Sequence, residues 1–460
     1  MPLSGSASAA SSTALSTTEF SECMRAAGLC SGDTAVAVGV SGGADSMTLL
    51  ALAHDWAVKT GAVLSALTVD HRLRPDSGAE AAQVAAWCRA RGIAHHTLVW
   101  TGNKPDKGIQ AAARAARYDL LENWCRAQDY DALLVAHSLN DQAETFLMRM
   151  SHGSGIDGLA AMPLVSQRDG LRLVRPLLGV PRARIEATVA ARSLDTVSDP
   201  SNLDRAFARI RMRDKVKLLD AQGISAEAIA GAARIFGTLR AARERAIDAL
   251  AGEIAILHPS GYAEIGRDGL IDADPDIARG LVSAVIQSVG GRAYPPRRDG
   301  LERLFADILR KPEFRPRTLG NCVVSIRRGH FLIRREHRTI RDVAPVVAGG
   351  RVVWDGRFIV GFAANPPSAP SGTGADGYRL GALGEDGWQD IVTLSARADL
   401  AEWRDFPGPV RYALPAIRAG KKVVEVPHLQ YRSPQLIENI VEKIEFRWRS
   451  ALSGHPFWVA

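Results

Sequence analysis

The sequence predicts an α/β protein. A parallel sheet covered by helices leads into a helical middle region and a smaller mixed C-terminal region. Three observations carry this expectation. Strand-like and helix-like segments alternate from about residue 20 to about residue 200, the pattern of a parallel sheet with crossover helices. Polar residues gather where the strand-like segments end, which is where an open parallel sheet receives ligands. Beyond Asp214 the alternation gives way to Ala/Arg/Glu-rich helical sequence, and then to short β-branched runs separated by Gly and Pro.

Taken in order, residues 1–19 are Ser/Ala/Thr-rich, with no basic residue before Arg25, and read as a disordered tail. They have neither the charged start and apolar core of a secretory signal nor the arginines of a transit peptide. The catalytic-domain expectation covers residues 20–213. Its strands are TAVAVGV (34–40), VLSALTVD (63–70), AHHTLVW (94–100) and DALLVAH (131–137). The helix after the first strand is apolar at Met47, Leu49, Leu50 and Leu52. The next opens on Ser77 and Glu80 in capping-box spacing, and a third spans GIQAAARAARYDLLENWCRAQ (108–128). Residues 214–330 are expected to be mainly helical and to bind RNA, with AIAGAARIFGTLRAARERAIDALAGEIAI (228–256) as the longest helical stretch. Residues 331–460 are expected to be mixed α/β. The segment NPPSAPSGTGADG (365–377) reads as a loop.

Composition narrows the function class. The apolar fraction of 46% is ordinary for a water-soluble protein, and no apolar run approaches the length of a membrane span. The five cysteines are scattered without a C-x-x-C pair, which argues against a structural zinc site or a disulfide framework and for a reducing, cytoplasmic setting. Charge is unevenly placed. Fourteen Arg/Lys face five Asp/Glu between Arg292 and Arg341, a local excess above the +7 of the whole chain. A second cluster, Asp204 to Lys217, carries six basic residues and two acidic ones. Such clusters are often only solvated faces, but two in an otherwise balanced chain point to a polyanionic partner.

The chemistry gathers in five stretches. VGVSGGADSM puts Ser41-Gly42-Gly43-Ala44-Asp45-Ser46 between a strand and a helix. Consecutive glycines there sacrifice backbone entropy, as they do where a chain turns sharply or lets a ligand approach its amides. The stretch lacks the lysine of a Walker loop and is not G-x-G-x-x-G. VDHRLRPDSGAE places Asp70 and His71 at a strand end. GIQAAARAARY spaces Gln110, Arg114, Arg117 and Tyr118 at helical intervals. VAHSLNDQAETF closes a strand at His137 and sets Asp141 and Glu144 in the first turns of a helix, with a second polar turn at Gly153-Ser154-Gly155. SDPSNLDRAFARIRMR is a turn followed by an arginine-dense helix.

Together these stretches resemble the N-type ATP pyrophosphatases of the PP-loop group, whose loop reads S-G-G-x-D-S. Within that group the chain is most similar to the tRNA(Ile)-lysidine synthase family, motif by motif from about residue 30 to 215 and more weakly beyond. The resemblance implies an adenine nucleotide α-hydrolase-like fold and ATP cleaved between its α and β phosphates. It implies an activity that joins lysine to C2 of the wobble cytidine of tRNA(Ile) with anticodon CAU, through an adenylated cytidine. Carried over residue by residue, it implies an ATP site at Ser41, Gly42, Gly43, Ala44, Asp45, Ser46, Asp70 and His71. Mg²⁺ would sit at Asp45 and Asp141, and His137 would lie against the phosphates. Arg114, with Arg117 as second candidate, would stabilise the adenylated intermediate, and Glu144 would orient and help deprotonate lysine. Arg205, Arg209, Arg211 and Arg213 would contact tRNA.

Three positions depart from the family pattern: Arg72 where a glycine is common, Ser138 for the second histidine of a pair, and Ile210 for an asparagine. A tRNA thiolase on the same fold is the nearest enzymatic rival, but it needs a persulfide-bearing or cluster-holding cysteine, and none of the five is suitably placed. An RNA-binding module with a vestigial ATP site would also explain the charge clusters. It would give no physical reason for Asp45, His137, Asp141 and Glu144 together.

Overall fold

The computed structural model describes residues 13–30, 34–74, 77–102, 104–105, 108–168, 171–197, 208–310, 314–368, 377–394, 403, 406–448, 452 and 457–459. The chain divides into two compact units, residues 1–241 with 457–460, and residues 242–456. No helix among the described residues is long and apolar enough to cross a membrane.

The first unit is built on a six-stranded sheet in the order β3-β2-β1-β4-β6-β5. Its strands are β1 (Ala35–Gly39), β2 (Val63–Asp70), β3 (Ala94–Val99), β4 (Ala132–Leu134), β5 (Val165–Arg168) and β6 (Leu171–Val174). β1 pairs in parallel with both β2 and β4, with Ala37 opposite Ser65 on one side and Leu133 on the other. The four expected strands are therefore present. The sheet also carries β6, parallel to β4, and β5, which closes it as an antiparallel edge. The two added strands are four residues each, too short for their period to stand out in sequence.

Alternation along β1 sorts the core. Val36 and Val38 face a cluster with Phe20, Met24, Leu49, Leu50 and Trp56 from α1 (Thr17–Ala26) and α2 (Ala44–Thr60), and with Val84 from α3 (Ser77–Ala90). Ala37 faces the opposite cluster, with Tyr118, Leu121 and Cys125 of α4 (Ile109–Ala127). A sheet covered on both faces excludes water from its strands, which is why they read as nearly continuous apolar runs. α5 (Leu139–Ser151), α6 (Ile156–Leu159), α7 (Arg182–Ala191), α8 (Ala208–Ala221) and α9 (Ala226–Ile254) follow.

The N-terminal expectation changes in part. Residues 1–12 lie outside the described residues, but Leu15 is buried and Ser16 caps α1 in a capping box with Glu19, so the ordered chain starts before residue 20. Of the expected domain boundaries, 213/214 falls inside α8, because Met212 and Val216 pack together against α5.

The second unit starts within α9. Its strands β7 (Ala255–His258) and β8 (Tyr262–Gly266) fall in sequence expected to be helical: α9 ends at Ile254 and the chain turns at once into a hairpin. They join β9 (Arg317–Leu319), β10 (Cys322–Arg327) and β11 (His330–Arg335) in a sheet ordered β7-β8-β11-β10-β9. The boundary expected at 330/331 therefore cuts a hairpin whose strands pair from Cys322↔Arg335 to Arg327↔His330. α10 (Arg267–Asp272), α11 (Pro275–Val289) and α12 (Arg298–Arg310) supply Leu270, Leu281, Val285, Leu304 and Phe305 to the same core. Two antiparallel sheets of five and three strands follow, with Trp354, Phe358 and Val360 fully buried between their elements. Trp354 and Phe358 are thus core residues.

Candidate active site

β1, β2 and β4 lie side by side and run the same way, so the segments after them emerge at one edge of the sheet. Those segments are Ser41–Ser46, Asp70–His71 and His137–Asp141, three stretches that the sequence placed far apart.

The bend after β1 is tightly made. Gly42 has φ +85°, a left-handed conformation that a side chain would strain. A Cβ there would also meet Val197 Cγ2 at 3.1 Å and Val84 Cγ2 at 3.2 Å. The Gly42 carbonyl accepts from the Val197 amide at 2.9 Å. Ser46 ties the bend from inside: its hydroxyl donates to the Gly43 carbonyl at 2.9 Å and accepts from the Ser41 amide at 3.2 Å. Gly43 is the N-cap of α2 and offers no side chain to the helix. The first-turn amides of α2, including those of Ala44 and Asp45, therefore have no side-chain cap, the arrangement that receives anions.

Asp45, half-buried in the first turn of α2, lies in the field of Asp141. Burial, and then the Asp141 charge, push the Asp45 carboxyl above its ordinary value, while Arg182 and Arg213 pull the other way. Asp141 sits in the first turn of α5. Its Oδ2 accepts from the Ser138 amide at 2.8 Å and the Ser138 hydroxyl at 3.2 Å, forming a capping box. The departure at Ser138 thus supplies the cap of the helix that carries the acid. Glu144, one turn on, is 1% exposed and accepts from Arg213 Nε at 3.0 Å. Arg213 was expected in the RNA-contacting row, but its helix packs against α5 through Met212 and Val216, and this turns its guanidinium to Glu144. Arg211 is exposed on the same helix; Arg205 lies outside the described residues, as does the side chain of Arg209.

At the end of β2, Asp70 accepts from the Ser77 hydroxyl at 2.7 Å and the Arg72 amide at 2.9 Å. Burial opposes its ionisation, yet these donors outweigh it and hold the carboxyl below its ordinary value. Ser77 is therefore not the expected capping residue of α3, since its hydroxyl is spent on Asp70 and on the Arg74 carbonyl. Glu80 pairs with Arg74 at 3.2 Å instead. Arg72 adopts φ +51°, so the position where a glycine is common is indeed left-handed here. His71 meets the edge of Trp100, with centroids 6.0 Å apart, and its buried Nδ1 has no hydrogen-bond partner among the described residues. Burial, and next the Arg117 charge, hold its imidazole below the ordinary value. Arg117 is thus the arginine of α4 whose field reaches this edge. Arg114 is exposed and lies 5.2 Å over the Tyr118 ring. His137 lies half-buried beyond β4, its amide donating to the Val135 carbonyl at 3.0 Å.

Sequence reasoning missed Arg182 and Trp100. Arg182 occupies the first turn of α7, its Nε 2.9 Å from Glu186. Glu186 first, and Asp45 and Asp141 after it, raise the Arg182 guanidinium above its ordinary value. A cation in a first helical turn opposes the helix dipole, and that local conflict was the available signal.

Asp45 and Asp141 share a field and offer carboxylate oxygens, donors of the kind a hard divalent cation takes.

A parallel sheet with a glycine bend at a helix start and acids at the neighbouring strand ends defines a PP-loop protein, and the PP-loop domain family matches residues 14–219. The tRNA(Ile)-lysidine synthase of Hyphomonas neptunium is 39% identical over 316 residues, which cover 66% of this chain and 82% of that protein. That of Rhizobium meliloti is 37% identical over 71% of this chain and 72% of its own. That of Wolbachia pipientis wMel is 31% identical over 89% and 92%. The chain belongs to the tRNA(Ile)-lysidine synthase family.

Proposed function

We propose that this chain is the cytoplasmic enzyme that joins the ε-amine of L-lysine to C2 of the wobble cytidine of tRNA(Ile) with anticodon CAU, converting ATP to AMP and pyrophosphate. The observation that carries the reading is the bend at Gly42 and Gly43, with uncapped amides at the start of α2 and Asp45 and Asp141 sharing a field beside it.

In the first step the cytosine O2 attacks the α-phosphorus and pyrophosphate leaves. Charge growing on the leaving group is received by the uncapped amides at the start of α2, while Ser46, whose hydroxyl donates to the Gly43 carbonyl, holds the bend in shape. Asp45 and Asp141 would hold Mg²⁺, which neutralises phosphate charge when bound. Arg117, whose charge is felt at His71, is better placed than Arg114 to face the nucleotide end of β2. His71 and His137 flank the same edge.

In the second step the lysine amine attacks C2, the C2–O bond breaks and AMP departs. Lysine arrives as an ammonium and must lose a proton before attack. Glu144 is the carboxylate for that task, buried and held in place by Arg213. The three buried thiols are unsuited to thiolation chemistry. Burial pushes Cys88 up to about 11, and Cys125 and Cys322 up to about 12, far from a thiolate at neutral pH.

The test is mass spectrometry of nucleosides from an unmodified CAU-anticodon tRNA(Ile) transcript incubated with the protein, ATP-Mg and lysine. A lysine-sized addition to cytidine, with AMP and pyrophosphate released, is expected. Folded protein that releases no AMP under these conditions refutes the proposal.

A further inference from the structure

The turn between α11 and α12 in the second unit is built to hold an aromatic ring out in solvent. Tyr294 is 79% exposed, and no other Phe, Trp or Tyr among the described residues is exposed. An isolated exposed ring would carry no weight, but the backbone beneath this one is pinned on both sides. A Cβ at Gly290 would lie 2.0 Å from the Gly320 carbonyl oxygen, and one at Gly291, where φ is +65°, 2.1 Å from that of Asp355. Gln287 Nε2 donates to the Ala293 carbonyl at 3.1 Å, and the Arg292 amide donates to the Gln287 carbonyl at 3.0 Å. Asn321 Nδ2 donates to the Gly290 carbonyl at 3.3 Å. Past the ring, Pro295 and Pro296 fix two φ angles, and Pro296 is buried. The anchor extends inward: Asp355, against which Gly291 packs, is clamped by Arg335 Nη2 at 2.8 Å and by Arg357.

Charge around the ring is one-sided. Arg292, Arg297 and Arg298 are exposed. Among the described residues no carboxylate pairs with Arg292 or Arg297, and Arg298 reaches only Glu302, at 3.7 Å. Asp299 is the acid within the turn's own sequence.

We propose that the Arg292–Arg298 turn is an RNA-contact element, in which Tyr294 stacks on an unpaired or helix-end nucleobase of the tRNA substrate while Arg292 and Arg297 hold the phosphates on either side. The inference rests on the tRNA substrate proposed above. A base presents a π-face whatever its identity, so a ring between cations grips a strand without reading it. The pinned backbone matters because a platform that is already rigid loses little conformational freedom on binding. Tyr294 is accordingly a positioning residue, remote in role from the phosphoryl chemistry.

The test uses the full chain and a labelled, unmodified CAU-anticodon tRNA(Ile) transcript, with Kd measured by fluorescence anisotropy across a salt series. Tyr294→Ala raises Kd roughly 5- to 50-fold, whereas Tyr294→Phe, which keeps the ring, stays within about twofold of the unaltered chain. The salt slope is unchanged in Tyr294→Ala and falls by about one in Arg297→Gln, because only the second change removes a phosphate contact. ATP affinity is unaffected in all three. Tyr294→Ala binding within about twofold of the unaltered chain overturns the inference, as does Tyr294→Phe weakening as much as Tyr294→Ala, which would assign the effect to the hydroxyl. Should the unaltered chain form no lysine adduct yet show the Tyr294 pattern, the proposed reaction fails and the platform stands. Should it not bind the transcript at all, both fail.

Discussion

Replacing Arg213 with alanine breaks a buried ion pair. Arg213 Nε lies 3.0 Å from Glu144 Oε1, and Glu144 is 1% exposed. At an effective dielectric of about 20, two unit charges at that separation attract by roughly 5 kcal/mol. Truncation removes that attraction, and breaking a buried ion pair in this way typically destabilises by about 3–5 kcal/mol. The Arg213 side chain is 34% exposed, so water partly screens the pair and enters once it is gone. The lower end, about 2–3 kcal/mol, is therefore expected. For a folding unit of this size that lowers Tm by roughly 5–10 °C. Thermal unfolding of the full chain is measured for Arg213→Ala, Glu144→Gln and the double variant. With the carboxylate neutralised the arginine has little left to compensate, so the double variant recovers about half or more of the loss. A shift under about 1 °C in Arg213→Ala, or strictly additive single effects, would refute the claim that this ion pair stabilises the fold around Glu144.

Three further outcomes follow from the same site. Gly42→Ala forces a Cβ into a left-handed position between Val197 and Val84; it costs roughly 1–2 kcal/mol, and AMP formation falls at least about tenfold. Asp45→Asn abolishes pyrophosphate release, and its stability depends on pH with a definite sign. The folded Asp45 pKa is raised, so the charged form is penalised above that pKa, and the penalty disappears below the ordinary aspartate value. The variant should therefore melt higher than the unaltered chain at neutral pH. The gap should close as pH falls through the folded pKa towards the ordinary value, as followed by Tm against pH. Arg117→Ala should reduce AMP formation more than Arg114→Ala, by about tenfold, because of these two arginines Arg117 is the one whose charge is felt at His71; equal losses in steady-state AMP release would contradict that placement.

Much of the first unit was legible in the sequence. Four strands, three helices and the glycine bend carry local signals of period, length and turn chemistry that no distant contact overrides. The elements that escaped are those whose state is set by partners. β5 and β6 are four residues long and become strands by pairing at the sheet edge. β7 continues an Ala-rich helical sequence and is claimed by β8. Ser77 has capping spacing, but Asp70 competes for its hydroxyl at 2.7 Å and wins.

The amino-acid order alone pointed to an anion-receiving bend, and the resemblance of its motifs to a known family implied the class of chemistry. Consecutive glycines and an aspartate at a strand-to-helix junction need only local backbone rules to be recognised, and the acids of α5 follow from the same reading. Tertiary structure decided which of these groups meet. Asp45 shares a field with Asp141, 95 residues intervening in sequence, and Glu144 pairs with Arg213 of the basic row. Arg117 rather than Arg114 is felt at the end of β2, and Tyr294 stands clear of a turn that Gln287 and Asn321 hydrogen-bond. The physical reason is range. Propensity and periodicity act over a few residues, whereas burial and Coulomb interactions depend on distances that exist only after the sheet has brought separate segments to one edge.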